Sequence, residues 1–161
     1  MSKSINLELK PKWDEIEKIR NKSSDFLVSQ GLSDDLVQAF TMVISELVEN
    51  SIKYGKFRSS GNKVLIEILV TANSVIAEVT NPIDKTDLNN LKALDKRIQW
   101  IRGFQNPLEA YTERLNEVSK KPFKDESSGL GLVRIAYEGK AILDFFVSDN
   151  SLLNVSALAS C

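Results

Sequence analysis

The sequence contains no histidine among its 161 residues. Histidine is the side chain whose charge ordinarily changes near neutral pH, and it is also the commonest metal ligand. Its absence excludes histidine-ligated metals, Ser-His-Asp and Cys-His nucleophile systems, and a phosphohistidine on this chain. Any transfer or hydrolytic chemistry must therefore use carboxylates, amides, lysine, arginine and backbone N–H groups.

Cysteine and long apolar runs are also scarce. Cys161 is the single cysteine, so no intrachain disulfide can form. The N-terminal residues lack a signal-peptide core, and no apolar run approaches the roughly 20 residues of a membrane span. The 21 basic and 22 acidic residues leave a net charge of -1, with no basic excess for nucleic acid. We expect a cytoplasmic protein that binds neither membrane nor nucleic acid.

Length and composition predict one globular domain over residues 1–161, with 42% apolar and 27% charged residues. The apolar periodicity predicts strands at residues 4–10, 63–71, 75–80, 141–148 and 151–159, and helices at 12–30, 33–54, 84–102, 107–120 and between Gly129 and Gly139. Hairpins grouped with helices favour an α+β fold: a two-layer sandwich with a mixed, mostly antiparallel sheet covered on one face by helices.

Three polar residues interrupt the apolar pattern of the predicted helix 33–54. Glu46, Asn50 and Lys53 are spaced by four and three residues, which places their side chains on one helical face beside the buried stripe. A carboxylate, an amide and an ammonium group together can bind water, a divalent cation and phosphate. The alternative is a solvated rim with a Glu49–Lys53 pair that contributes only about 0.2–0.5 kcal/mol.

A second candidate element follows a polar segment, residues 120–128, that we predict to be a mobile loop. Gly129, Leu130 and Gly131 come directly before a predicted helix. Glycine lets backbone N–H groups approach an anion closely, and a helix N-terminus favours negative charge. A simple loop-to-helix junction would show the same pattern, so this element gains meaning only in combination with the helix 33–54 and the intervening hairpin.

These motifs and their order resemble the GHKL ATPases, the superfamily of gyrase, Hsp90, histidine kinases and MutL. Residues 46–55 (ELVENSIKYG) resemble the N box, and residues 128–133 (SGLGLV) resemble the second glycine box. The length is most similar to bacterial anti-sigma-factor serine kinases and related partner-switching proteins. The resemblance implies a Bergerat fold, with Mg-ATP held between a helical layer and a lid.

The resemblance also implies roles for individual residues. Glu46 would orient or deprotonate the attacking group, Asn50 would hold Mg²⁺, and Lys53 would support phosphate charge. Backbone amides at Gly129, Leu130 and Gly131 would contact the phosphates. These assignments suit phosphoryl transfer, which depends mainly on positioning and charge stabilisation.

The first glycine box departs from the pattern of the superfamily. Asn81 stands where the adenine-binding aspartate is expected, and Pro82 follows it in place of a glycine motif. An asparagine offers one amide oxygen, and its NH₂ cannot replace the second acceptor of a carboxylate. An unpaired polar group there would cost about 1–3 kcal/mol, and each 1.4 kcal/mol corresponds to about a tenfold loss of affinity.

Residues 84–128 form a longer insert than the small serine kinases have. One interpretation is an enlarged lid packed on the core. The other is a dimer or partner surface, with Trp100, Ile101 and Phe104 as candidate anchors. Lys120, Lys121 and Lys124 would either contact phosphates from the lid or lie in a solvated loop.

The leading hypothesis is a cytosolic bacterial signalling regulator that binds Mg-ATP. It would phosphorylate a serine or threonine of a partner, such as a STAS-type antagonist or a sigma factor, or sequester that partner, and it could form a homodimer. The alternative is a pseudo-ATPase of the same fold that binds its partner without useful nucleotide affinity.

Overall fold

The computed structural model contains a five-stranded sheet with helices on one face. This architecture confirms the predicted α+β class. The structure describes residues 2–58, 61–84, 88–119, 130–148 and 151–161, excluding the side chains of Leu88 and Val118. Residues 120–129 therefore lie outside the described part, and with them the predicted loop, Lys120, Lys121, Lys124 and Gly129.

The strands follow the order β1-β2-β3-β5-β4 across the sheet, and all four pairings are antiparallel. Their bounds are β1 Lys3–Leu9, β2 Val64–Val70, β3 Ser74–Pro82, β4 Ile142–Val147 and β5 Leu152–Ser160. Burial alternates along β2 and β3, because successive side chains of a strand point to opposite faces of the sheet. Every second side chain therefore enters the core. β5 is inserted between β3 and β4, which makes the last strand of the chain an interior strand of the sheet.

The helices lie close to their predicted positions. Their bounds are α1 Ile16–Ser29, preceded by a 3-10 turn at Trp13–Glu15, then α2 Asp34–Tyr54, α3 Leu88–Arg102, α4 Pro107–Ser119 and α5 Leu130–Tyr137. In α2, the Ser33 side chain accepts a hydrogen bond from the Leu36 N–H at 3.3 Å. This N-cap and the following Gly55 explain why sequence alone located α2 within one residue at each end.

The apolar stripe of α2 packs on the inner face of the sheet. Phe40, Ile44, Leu47 and Val48 are buried there against the inward side chains of β2 and β3, such as Ile68. Packing of this kind pins the rotation of α2 about its axis, because turning the stripe away would expose several large side chains. The polar residues at the edge of the stripe are thereby held at the side of α2 that faces α3 and α5.

β3 extends two residues farther than predicted. Pro82 pairs with Leu152, and its carbonyl accepts a hydrogen bond from the Lys56 N–H at 2.9 Å. Proline is tolerated because it is the last residue of the strand, where a missing N–H interrupts no interior ladder. Asn81 is consequently a strand residue with a buried side chain rather than part of a loop.

The insert contributes to the core through α3 and α4. Ile98, Ile101 and Ala110 are buried in it, while Trp100 and Phe104 are half-buried and pack edge to face, with ring centroids 4.7 Å apart. Ile101 is only 6% exposed, so the interpretation of Ile101 as a partner anchor is wrong. The insert is packed on the core, and its aromatic pair stabilises that packing.

Candidate functional site

A cavity of about 400 Å³ lies between α2 and α3, and residues of α4, α5, β3 and β5 complete its wall. The predicted residues that line it are Glu46, Asn50, Lys53, Asn81 and Gly131. Its volume is within the range of roughly 300–1,000 Å³ that is usual for small-molecule sites. The fold therefore brings five of the seven proposed site residues to one cavity.

Gly131 makes the closest approach between the two sequence motifs. A Cβ atom at this position would lie 2.6 Å from Oε2 of Glu46 and 3.9 Å from Nδ2 of Asn50. Distances below 3.0 Å are essentially never seen for real Cβ atoms, so glycine lets the first turn of α5 touch the polar face of α2. Two segments about 85 residues apart in sequence thus meet at the carboxylate of Glu46.

The Glu46 carboxylate is partly enclosed and paired. Arg134 Nη1 donates a hydrogen bond of 2.8 Å to its Oε1, and Arg134 Nη2 lies 3.2 Å from Glu138 Oε2. The Glu46 side chain is 16% exposed. Burial, and then the nearby charge of Glu49, raise the pKa of Glu46, while Arg134 and Arg20 act in the opposite direction. A carboxyl group with a raised pKa is a better proton acceptor than an ordinary glutamate once it is ionised.

Glu49 and Lys53 of α2 are more exposed than Glu46. Glu49 Oε1 lies 3.4 Å from Nη2 of Arg20, whose Nε donates to Ser45 Oγ at 2.7 Å. Lys53 is exposed, and its Nζ lies 5.3 Å from the centroid of the Tyr54 ring. Glu49 is thus directed towards α1, and the solvated-rim interpretation fits Lys53 better than it fits Glu46.

Asn81 lies at the base of the cavity and is 2% exposed. Its Nδ2 donates a hydrogen bond of 3.0 Å to the carbonyl of Pro82. The bond orients the Asn81 amide so that its nitrogen faces the Pro82 carbonyl. The amide oxygen, Oδ1, can then accept a hydrogen bond from a ligand. Asn81 can therefore provide one acceptor but no carboxylate at the position where the resemblance to GHKL ATPases implies an aspartate.

Asp84, which follows Asn81 by three residues, does not bring a carboxylate to this cavity. It forms an ion pair with Arg58 and lines a separate depression beside Ser151. Asp84 is absent from the wall of the large cavity, whose described lining includes Asn81 and Ile83 from this segment.

Two arginines of the insert line the cavity, and sequence reasoning did not identify them. Arg97 of α3 lies with its guanidinium carbon 5.1 Å from the centroid of the Trp100 ring. Arg114 of α4 is 3% exposed, and its Nη1 donates to Glu117 Oε2 at 2.8 Å. In a helix with many charged residues, no sequence pattern separates an inward arginine from a solvated one.

Arg134 was also missed, although its position offered a signal. Gly131, Arg134 and Glu138 are spaced by three and four residues, so they share one face of the helix that follows the glycine motif. Because Gly131 lies against Glu46, other side chains on the same face of this helix, such as Arg134, are placed where they can also reach Glu46. The spacing of Arg134 and Glu138 was compatible with an ordinary surface pair, and only the contact with α2 distinguishes the two cases.

The arrangement combines oxygen donors on α2 with cationic side chains on the insert. Mg²⁺ prefers a few protein oxygens together with water and phosphate oxygens, and Asn50 offers a donor of that type. Among the described residues, no three acidic or cysteine side chains converge as a ready-made metal site. A metal ion here would accordingly need oxygens from a bound phosphate.

Comparison with solved structures shows that other proteins share this fold. No protein-family model matches the chain, and no curated protein matches it in sequence. A chain of the SiaB–SiaC complex from Pseudomonas aeruginosa has a similar structure, with a TM-score of 0.72 and 16% identity over 96% of this chain and 88% of that one. In the part of the chain that the structure describes, no helix is long and apolar enough to span a bilayer.

Proposed function

We propose that this protein is a GHKL-type signalling regulator that binds Mg-ATP in the cavity between α2 and α3. The observation that carries the proposal is the close approach of Gly131 to Glu46 on the face of α2 that also carries Asn50. An N-box-like helix face and a glycine box are each weak signals, but their convergence on one cavity of suitable size is what nucleotide binding requires. The proposal includes transfer of the terminal phosphoryl group to a partner hydroxyl.

The described side chains have chemically suitable roles in that reaction. Asn50 would hold Mg²⁺, and Lys53, at the mouth of the cavity, would support phosphate charge. Glu46 would accept the proton of the partner's attacking hydroxyl. The hydroxyl oxygen would then bond to the terminal phosphorus as the bond from that phosphorus to the departing nucleoside diphosphate breaks. Arg134 would orient the Glu46 carboxylate through the bond of 2.8 Å, because it holds Oε1 and leaves Oε2 towards Gly131.

A protein partner is the second part of the proposal. Support comes from the likeness to a chain taken from a complex of two proteins, SiaB and SiaC. We infer that this chain acts in a partner-switching system, and that a STAS-type antagonist or a sigma factor is the class of partner. Phosphorylation would change the charge of the acceptor by about -1.5 to -2 and so alter its affinity for the regulator.

A pseudo-ATPase is the alternative, and a specific observation favours it. Asn81 lacks the carboxylate, and its NH₂ donates one hydrogen bond to the Pro82 carbonyl. If Oδ1 of Asn81 alone does not bind adenine, the cavity would not hold a nucleotide. The protein would then bind its partner without nucleotide.

Isothermal titration calorimetry with Mg-ATP distinguishes the two functions. Under the ATP-binding proposal, the unaltered protein shows saturable binding and Asn50→Ala weakens it at least tenfold. Asn73→Ala is the matched control, since Asn73 is exposed in the turn between β2 and β3. Absence of heat at millimolar nucleotide, with the protein folded, would reject ATP binding and leave the pseudo-ATPase.

A further inference from the structure

Two guanidinium groups of the insert share one carboxylate at the wall of the cavity. Arg114 Nη1 lies 2.8 Å from Glu117 Oε2, and Arg97 Nη1 lies 4.0 Å from the same oxygen. Glu117 is thus committed mainly to Arg114, because the shorter distance is a hydrogen bond and the longer one is only an ion-pair contact. Arg97 keeps much of its charge uncompensated by Glu117.

The position of Arg97 makes that charge accessible from the cavity. Its side chain is 26% exposed, and it continues the cavity-lining face of α3 after Asn90 and Leu94. Those positions are four and three residues apart, the same spacing as Glu46, Asn50 and Lys53 on α2. Two helical faces therefore oppose each other, one with oxygen donors and one ending in an arginine.

Trp100 and Arg114 restrict where the Arg97 guanidinium can go. The Arg97 guanidinium carbon lies 5.1 Å from the centroid of the Trp100 ring, and Arg114 lines the same cavity. Burial, and then the Arg114 charge, lower the pKa of Arg97. An anion in the cavity would relieve this repulsion, and a planar guanidinium suits phosphate because it can donate two parallel hydrogen bonds.

We propose that Arg97 forms, from the insert, a subsite for the phosphate groups of the nucleotide, with Arg114 as the residue that positions it. This inference depends on the proposed ATP binding and adds to it a contact outside the two motifs. Every nucleotide phosphate held there would lie between α3 and the face of α2.

The experiment compares ATP, ADP and adenosine by calorimetry on the unaltered protein and Arg97→Gln, which keeps an uncharged side chain over Trp100. We expect Arg97→Gln to weaken ATP about tenfold or more, in line with the strength of charge-assisted hydrogen bonds. Adenosine affinity should be unchanged, because adenosine has no phosphate. Lys96→Ala, on the exposed side of α3, is the control and should leave all three affinities unchanged.

The outcomes separate this inference from the proposed function. If the unaltered protein binds neither ATP nor adenosine, both fail. If it binds ATP and Arg97→Gln binds equally well, or loses adenosine as strongly as ATP, only the Arg97 subsite is refuted. Circular dichroism checks folding. Arg97→Lys provides a second variant: lysine keeps the charge but lacks the planar two-donor fork, so its ATP affinity should lie between those of the unaltered protein and Arg97→Gln. An ATP affinity of Arg97→Lys below that of Arg97→Gln contradicts the subsite.

Discussion

Gly131 lies so close to Glu46 that a Cβ atom on Gly131 would come within 2.6 Å of Oε2. The contact joins the start of α5 to α2. It explains on steric grounds alone, without any ligand, why position 131 is a glycine. The carboxylate is held on its other side by Arg134 at 2.8 Å. Glu46 is consequently restrained from two directions by residues of one helix.

Substitution Gly131→Ala is expected to destabilise the protein. The added Cβ would push aside the end of the Glu46 side chain, and the cost is the disturbed hydrogen bond from Arg134. Hydrogen bonds to charged groups contribute about 1.5–3 kcal/mol, which exceeds the gain of at most about 1 kcal/mol from better helix propensity. Gly61→Ala is the control, because a Cβ there would meet nothing within 4 Å. Urea unfolding measures both variants, and an unchanged or increased stability of Gly131→Ala would show that Glu46 moves aside freely.

The raised pKa of Glu46 predicts a pH dependence of stability. A group whose folded pKa exceeds its unfolded value binds more protons in the folded state between the two values, so its contribution to stability decreases as pH rises through that window. Unfolding free energies of the unaltered protein and Glu46→Gln, compared from about pH 4 to about pH 8, should show the unaltered protein losing stability relative to the variant as pH increases. A difference that stays constant or changes in the opposite direction contradicts the raised pKa.

Glu46→Ala tests the proposed chemistry separately from binding. Removing the proton acceptor should lower phosphoryl transfer by about 10²–10⁴-fold, while Mg-ATP affinity changes little because Asn50 and the cavity remain. Transfer of labelled phosphate to a partner measures turnover, and calorimetry measures binding. Glu109→Ala, at an exposed position in the first turn of α4, is the control and should retain full turnover. Full turnover in Glu46→Ala would remove Glu46 from the reaction.

Asn81→Asp is expected to lower stability although it introduces the residue that the resemblance to GHKL ATPases implies at this position. The aspartate would have no NH₂ to donate to the Pro82 carbonyl, and the site is 2% exposed. Leaving buried polar groups unpaired costs roughly 1–3 kcal/mol. Asn73→Asp, in an exposed turn, should be nearly neutral. Equal stability of the two variants in thermal unfolding would mean that the Asn81–Pro82 bond contributes nothing.

Trp100→Ala should affect folding rather than self-association. Trp100 packs on Phe104 and on the core, so truncation should cost roughly 2–4 kcal/mol, somewhat below the value for a fully buried tryptophan. Trp13→Ala is the matched control, since Trp13 is 58% exposed. Light scattering should give the same mass for both variants. A change in mass without loss of stability would restore the interpretation of this surface as an interface.

Local signals were sufficient to predict the elements but not their arrangement. The length of α2 followed from the Ser33 cap and Gly55, and the hairpin of β2 and β3 followed from β-branched residues around a polar turn. Insertion of β5 between β3 and β4 depends on pairing between strands about 75 residues apart, which no local pattern specifies. The same is true of Arg97 and Arg114, because their direction is set by how the insert packs.

By itself, the sequence determined the chemistry that is possible here. With no histidine and one cysteine, polar function rests on carboxylates, amides and basic side chains, and helical spacing placed Glu46, Asn50 and Lys53 on one face. Tertiary structure decided which of these groups meet. Packing of the apolar stripe of α2 on the sheet turned Glu46 towards Gly131 and Arg134, because contacts between distant segments arise from burial of the whole core and not from the residues that they join.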